Sequence, residues 1–148
     1  KGYSGNIWES ESGKNLLMSV IFFPNFLSPR LHFFLNQVAS LAVADTVKEF
    51  VKGKEIKIKW PNDVFAGKKK IAGILIENSV KGNSIQHSII GIGLNVNQKN
   101  FTPQLLHATS IFKILGKEIL VDDMMNVLFS MLEARYLQLK QNRIEQLQ

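Results

Sequence analysis

Two short stretches carry most of the side chains in this sequence that could do chemistry. Residues 59–63 (KWPND) supply a cation, an amide and a carboxylate, and residues 70–73 (KIAG) supply a second cation beside a glycine. Pro61 has no amide hydrogen and restricts the residue before it to extended backbone, so a strand must leave its ladder there. Asn62 and Asp63 are then presented beyond the strand. Two cations, an amide and a carboxylate beside bare backbone are suited to a phosphate and its metal ion.

Asp63 and Lys70 are the strongest candidates for direct chemical roles. Magnesium takes oxygen ligands and is often held by one carboxylate together with phosphates, which fits Asp63. Lys70 opens an apolar strand, where it acts as a fixed point charge, whereas Lys68 and Lys69 alone are typical of a solvated turn. An Asn-Asp pair after proline is also common in turns. The residues alone are therefore compatible with a metal and phosphate site and with an ordinary turn.

A second set of candidates lies on the strand that ends at Asn95. With the two-residue period of a strand, Gly91, Gly93 and Asn95 share one face. Two missing side chains followed by an amide let a flat ligand approach the backbone, although a bulge or tight packing also explains glycines in a strand. The pattern is not a dinucleotide fingerprint, because position 96 is valine and no helix opens there.

Hydrophobic periodicity predicts the elements that must position these side chains. A helix over residues 29–52 is expected to begin at a Ser28 cap with Pro29 in its first turn, and to end at Gly53. A later helix is expected to be capped by Asp122. The other predicted elements are a buried strand over 16–23, a half-buried strand over 56–60, a hairpin of 64–66 and 69–80, a strand over 84–95 and a short helix over 110–115. This order favours an α+β fold with a largely antiparallel sheet.

Length and composition set broader limits. The 148 residues are one domain's worth, and the absence of cysteine excludes disulfides and thiolate metal sites. No apolar run is long enough to span a bilayer, so a cytoplasmic protein without a membrane partner is expected by default. The net charge of +6 favours anionic ligands or acidic partners. The lysines are spread along the chain and do not form one stripe, so no nucleic-acid partner is predicted.

The segment KWPND…KIAGILIE closely resembles the central catalytic domain of bacterial biotin protein ligases. Residues 1–8 (KGYSGNIW) resemble the second part of that family's biotin-binding loop, GRGRRGRxW, and residues 13–16 resemble the opening of its next strand. Residues 90–97 (IGIGLNVN) resemble its G-x-G-x-N strand. With four matches in order, the chain is identified as a member of this family. We expect residues 1–148 to be a partial catalytic domain, with its start and the family's small carboxy-terminal domain outside the sequence.

The resemblance implies a fold, an activity and a set of site residues. The fold is the mixed sheet of biotin and lipoate ligases. The activity is activation of biotin with ATP and Mg²⁺ and its transfer to a lysine of a carboxylase biotin-carrier domain; a homodimer is compatible with it. Lys70 and Asp63 are implied as catalytic, with Asp63 also the metal ligand. The implied biotin-binding residues are Lys1, Gly2, Tyr3, Trp8, Lys70, Gly73, Leu75, Gly91 and Gly93, and the implied ATP-binding residues are Asn6, Lys59, Asn62 and Asn95.

The amino-terminal loop departs from the family pattern. Family members carry arginine where this chain has Lys1, Tyr3, Ser4 and Asn6; Lys1 keeps the charge, but Tyr3 replaces an arginine that retains the adenylate. A phenol cannot supply a guanidinium fork. Trp8 matches the family's tryptophan beside the ligand tail, although a generic buried aromatic is the alternative. Two other functions stay open. One is a lipoate or octanoate transferase of the same fold, against which KWPND and the complete segment 70–77 argue. The other is a non-catalytic biotin- or nucleotide-binding module, which the departure at Tyr3 makes credible.

Overall fold

The computed structural model describes residues 8–141. The roles implied for Lys1, Gly2, Tyr3 and Asn6 therefore lie outside the described residues. The strands are β1 (Leu16–Phe22), β2 (Ile56–Lys59), β3 (Asp63–Ala66), β4 (Lys69–Lys81) and β5 (Ser84–Leu94). The helices are α1 (Phe33–Phe50), α2 (Ile111–Leu115) and α3 (Val121–Lys140), with single 3-10 turns at Pro29–Leu31 and Pro103–Leu105.

The described strands form one five-stranded sheet in the order β1-β5-β4-β3-β2. All four neighbouring pairs are antiparallel, and a single isolated bridge between Lys70 and Ala108 is parallel. The predicted α+β class with a largely antiparallel sheet is confirmed.

One face of the sheet is covered by helices and forms the main core. Ile90 and Leu94 of β5 are completely buried and belong to the same cluster as Val43 of α1 and Leu128 of α3. Arg135 of α3 donates a hydrogen bond to the carboxylate of Asp45 on α1, which ties the two helices together above the sheet. Between residues 8 and 141, no helix is both long and apolar enough to cross a membrane.

The predicted helix over residues 29–52 is wrong at both ends. Pro29–Leu31 forms a 3-10 turn, in which the His32 N–H bonds the Pro29 carbonyl, and the α-helix starts only at Phe33. Ser28 precedes this turn but its side chain makes no capping hydrogen bond. The helix ends at Phe50, and Gly53 adopts its left-handed conformation in the turn that follows.

Two smaller predictions are also wrong. The strand over 56–60 is not half-buried: it ends at Lys59, and Ile58 and Trp60 are 40% and 71% exposed. β2 is an edge strand of the sheet, so less of the protein packs around it. Asp122 does not cap α3, whose N-cap residue is Leu120; Asp122 lies in the first turn, where a negative charge complements the helix dipole.

Candidate active site

The face of the sheet opposite the helices is open, and its side chains are arranged in rows across the strands. Residues that are directly opposite on neighbouring strands share a face. One row runs across all five strands through Lys59, Asp63, Gly73, Gly93 and Leu17. Charge therefore lies at one end of the row, bare backbone in the middle and an apolar side chain at the other end.

The next row of the open face crosses β4, β5 and β1. It consists of Leu75, Gly91 and Ser19. Together the two rows place three glycines on adjacent strands, so the face has a depression where other sheets carry side chains. The shared face predicted for Gly91 and Gly93 is present in this geometry.

This depression is the floor of a cavity of about 1040 Å³. The cavity brings together nine of the residues singled out from the sequence: Trp8, Asn62, Asp63, Lys70, Gly73, Leu75, Gly91, Gly93 and Asn95. Lys59 is not among the lining residues. It pairs with Asp63 across the strands and so lies on the same face of the sheet, where its ammonium is 5.8 Å from the centre of the Phe65 ring.

Lys70 points into this cavity because of a β-bulge in β4. Lys70 and Gly73 are three residues apart, so a regular strand would place them on opposite faces. In the sheet Lys70 pairs with Phe65 and Ala72 pairs with Val64, which leaves Ile71 as an extra residue. Ile71 and Ala72 are both completely buried, and Lys70 returns to the face of Gly73.

The backbone of Lys70 is held independently of its side chain. Its N–H donates to the carbonyl of His107 and its carbonyl accepts from the N–H of Thr109, both at 2.8 Å. The loop before α2 is thereby tied to the start of β4, which brings residues of that loop to the rim of the cavity.

Lys70 and Asp63 form an ion pair inside the cavity. The ammonium lies 2.6 Å from a carboxylate oxygen, and the two side chains are 35% and 24% exposed. The same ammonium is 5.6 Å from the centre of the Trp8 ring. The pair sits in partial contact with solvent, so both charges stay accessible to an incoming ligand. Among residues 8–141 no cluster of three or more carboxylates, imidazoles and thiols is placed to hold a metal ion.

Trp8 lies directly on the glycine backbone. A Cβ atom added at Gly93 would be 2.6 Å from Cε2 of the indole, and one added at Gly73 would be 2.9 Å from Cζ3. A Cβ at Gly91 would meet nothing closer than the Leu75 carbonyl at 3.7 Å. Gly73 and Gly93 therefore make room for the indole, whereas Gly91 leaves the floor of the cavity free. The indole N–H is buried and has no hydrogen-bond acceptor within the described part of the chain.

Asn95 presents an unused acceptor at the cavity. Its backbone N–H donates to Ile71, and its side-chain amide donates to the Thr109 carbonyl at 3.0 Å. The side-chain carbonyl oxygen is buried without a partner among the described residues. Because a buried acceptor without a donor is costly, this oxygen is suited to an N–H group of a ligand.

Several residues of the cavity were not found from the sequence. Leu17 and Ser19 of β1, and Ile89 of β5, are aligned by cross-strand register with the predicted positions. The pairing of β1 with β5 joins segments that are far apart in the chain, so the alternation within each strand could not reveal it. The loop after β5 adds Phe101, Gln104, Leu105 and Ala108.

The sequence matches the biotin/lipoate A/B protein ligase family over residues 1–95. The bifunctional ligase/repressor BirA of Bacillus subtilis is 34% identical over 125 residues, which are 80% of this chain and 37% of that protein. The biotin–protein ligase of Homo sapiens is 33% identical over 107 residues, covering 69% of this chain and 14% of that protein. The chain thus spans well under half the length of these relatives.

Solved structures of biotin protein ligases are also similar to this chain. The biotin protein ligase of Aquifex aeolicus in complex with biotin and ATP superposes with a TM-score of 0.82 at 27% identity, covering 95% of this chain and 57% of that one. The biotin protein ligase of Leishmania major in complex with biotin superposes with a TM-score of 0.72 at 29% identity, covering 89% and 57% of the two chains.

Proposed function

Because this chain belongs to the biotin/lipoate A/B protein ligase family, we propose that the protein carrying it activates biotin with ATP and transfers it to a lysine of a carboxylase biotin-carrier domain. One observation carries the proposal. The open face of the sheet joins the Lys70–Asp63 pair, a glycine floor and the unpartnered carbonyl of Asn95 in one cavity. A ligand with an anionic group between a flat apolar part and a hydrogen-bond donor fits this arrangement. Biotinyl-5'-AMP has these three parts.

Lys70 has the central role in activation. The carboxylate of biotin is already ionised at neutral pH, so the protein needs to align it with the α-phosphate of ATP and screen the negative charges. The attacking carboxylate oxygen forms a bond to the α-phosphorus, and pyrophosphate leaves. The Lys70 ammonium, fixed by the bulge and by Asp63, is a preorganised cation at the point where these anions meet.

Asp63 and Asn62 are proposed as the protein's contacts to Mg²⁺ and the polyphosphate. They line the cavity next to Lys70, and a single carboxylate fits an ion that is bound mainly through phosphates and water. Bound there, Mg²⁺ would neutralise charge on the phosphates. Lys59 lies on the same face of the sheet and is proposed to contact a phosphate at the edge of the cavity.

The remaining contacts divide between the two ends of the ligand. Gly91 and Leu75 are proposed to contact biotin on the free part of the floor, with Trp8 against its aliphatic tail over Gly73 and Gly93. The Asn95 side-chain carbonyl is proposed to accept a hydrogen bond from the adenine amino group. Contacts to biotin from Lys1, Gly2 and Tyr3, and to ATP from Asn6, stay predictions from the sequence. The absence of cysteine is compatible with the cytoplasm, where we propose that the protein acts.

Pyrophosphate release by the whole protein that contains this chain tests the proposal. We expect release that depends on both ATP and biotin, followed by biotin transfer to a carrier domain. Lipoate and octanoate serve as matched substrates, since pyrophosphate release with either but not with biotin would replace biotin by that acid as the substrate of the same fold. Biotin or nucleotide binding without any release would assign a non-catalytic binding module.

A further inference from the structure

Trp8 reaches the cavity from a segment that has no regular secondary structure. Residues 8–15 form neither a helix nor a strand, so no ladder of backbone hydrogen bonds holds them against the sheet. The indole nevertheless lies on the backbone of Gly73 and Gly93. Contacts outside any helix or strand must therefore fix the segment that carries it.

A buried glutamine makes two of these contacts. The side-chain carbonyl of Gln98, a residue that is 4% exposed, accepts hydrogen bonds from the side-chain amide of Asn15 and the backbone N–H of Glu11. Its side-chain amide donates to the Asn100 carbonyl at 2.9 Å, and its backbone carbonyl accepts from the Ser110 hydroxyl at 2.6 Å. Gln98 thus joins the segment before β1 to the loop after β5, with both polar atoms of its side chain in use.

The loop held by Gln98 is part of the cavity wall. Four residues of this loop line the cavity: Phe101, Gln104, Leu105 and Ala108. The loop is bound to the segment of Trp8 a second time, where the Thr102 hydroxyl donates to the Glu9 carboxylate at 2.9 Å. That bond is exposed, whereas Gln98 is buried, so the hydrogen bonds of Gln98 are stronger and meet less competition from water.

We propose that Gln98 is a positioning residue, which holds the segment before β1 so that the indole of Trp8 stays against the glycine floor of the cavity. The inference rests on the proposed function only for the identity of the ligand. Gln98 does not line the cavity, so it acts through Trp8 and not by touching the ligand. Without the two hydrogen bonds that Gln98 accepts, the segment gains conformational freedom, which ligand binding must then remove with a loss of affinity.

The neighbouring Asn97 is a natural control. It is also a buried amide, but its side chain bonds both backbone groups of Ile119, donating to the carbonyl at 2.8 Å and accepting from the N–H at 3.0 Å. These bonds fix the connection between α2 and α3. The backbone N–H of Asn97 does donate to the Lys14 carbonyl, but a side-chain substitution leaves that bond in place. A substitution at Asn97 thus removes a buried amide without releasing the segment of Trp8.

Removal of the amide with little change in volume tests the proposal. In the whole protein, Gln98→Met is compared with Asn97→Leu, and both should have a lower melting temperature because buried groups lose their partners. Hydrogen–deuterium exchange of residues 8–15 should become roughly tenfold faster in Gln98→Met and stay unchanged in Asn97→Leu. Biotin affinity, measured by calorimetric titration, should fall by roughly tenfold in Gln98→Met only.

The outcomes separate this inference from the proposed function. Exchange is measured without biotin, so faster exchange of residues 8–15 in Gln98→Met alone supports positioning even if the whole protein binds no biotin. Unchanged exchange in folded Gln98→Met would overturn the inference. An equal loss of biotin affinity in Asn97→Leu, or faster exchange with unchanged biotin affinity, would also overturn it. If Gln98→Met does not fold, Asn15→Asp is measured in the same way, since it removes the donor to Gln98 but keeps the acceptor for the Val96 N–H.

Discussion

Successive residues of β5 serve opposite faces of the sheet. Ile90 and Ile92 point toward α1 and α3 and are buried, whereas Gly91 between them forms the floor of the open cavity. On the covered face, side chains fill the space between the layers. On the open face their absence creates the space. The comparison indicates that alternate residues of one strand fill the core, whereas the residues between them form the floor of the cavity, so substitutions on the two faces should have separable effects.

The largest effect on stability is expected from the covered face. Ile90→Ala should lower the free energy of unfolding by about 2–5 kcal/mol, because Ile90 is completely buried in the main core and its truncation leaves a cavity between the sheet and the helices. Chemical denaturation measures this loss. Biotin affinity, measured on the folded protein, should stay close to that of the wild type; a large loss of affinity would show that the two faces are not separable.

The largest effect on activity is expected from Lys70→Ala. Removing a preorganised cation that contacts the reacting anions should slow adenylate formation by roughly 100- to 1000-fold. Biotin-dependent pyrophosphate release measures the rate, and thermal unfolding should be little changed because the side chain is partly exposed. Lys69→Ala is the matched control, since the neighbouring Lys69 does not line this cavity. Near-normal adenylation by Lys70→Ala would remove Lys70 from its proposed role.

Valine substitutions at the two glycines of β5 should differ from each other. Gly91→Val places a branched side chain in the free part of the floor and should weaken biotin binding by about 1–3 kcal/mol, the usual range for overpacking. Gly93→Val must also displace the Trp8 indole, so we expect a lower melting temperature in addition. Calorimetric titration and thermal unfolding measure the two effects. A folded Gly91→Val protein with unchanged biotin affinity would exclude this part of the floor as the biotin site.

The smallest effect is expected at Tyr3, which the resemblance aligns with an arginine that retains the adenylate. Tyr3→Arg should slow release of biotinyl-5'-AMP by roughly tenfold, because a guanidinium can pair with a phosphate that a phenol only hydrogen-bonds. The dissociation rate of the adenylate from the whole protein is the measurement, with Tyr3→Lys as a control for charge without the fork. Unchanged or faster release from the arginine variant would indicate that another cation already holds the phosphate.

The sequence was sufficient to predict those structural features that depend on local periodicity. Alternation in residues 84–95 placed Gly91, Gly93 and Asn95 on one face, and the short helix predicted over 110–115 is present as α2. These features depend on neighbours within a few residues.

The sequence was insufficient to predict features that depend on contacts between segments far apart in the chain. The exposure of Trp60 follows from the edge position of β2, and the position of Ser19 at the cavity follows from the pairing of β1 with β5. The bulge at Ile71 is a further case, because a regular strand would turn Lys70 away from Gly73. The KIAG motif suggested that Lys70 and Gly73 lie in one site. The bulge at Ile71 explains how both reach the same face of the sheet.

The position of Trp8 on bare backbone has a consequence for spectroscopy. The chain contains two tryptophans, and the other, Trp60, is 71% exposed. Indole emission depends on the polarity around the ring, so the fluorescence of this chain combines one emitter at the ligand cavity with one in water. A water-soluble quencher reaches Trp60 preferentially, and the emission that survives then comes mainly from Trp8. We therefore expect Trp8 emission to change when a ligand occupies the cavity, so that binding can be followed without an attached label.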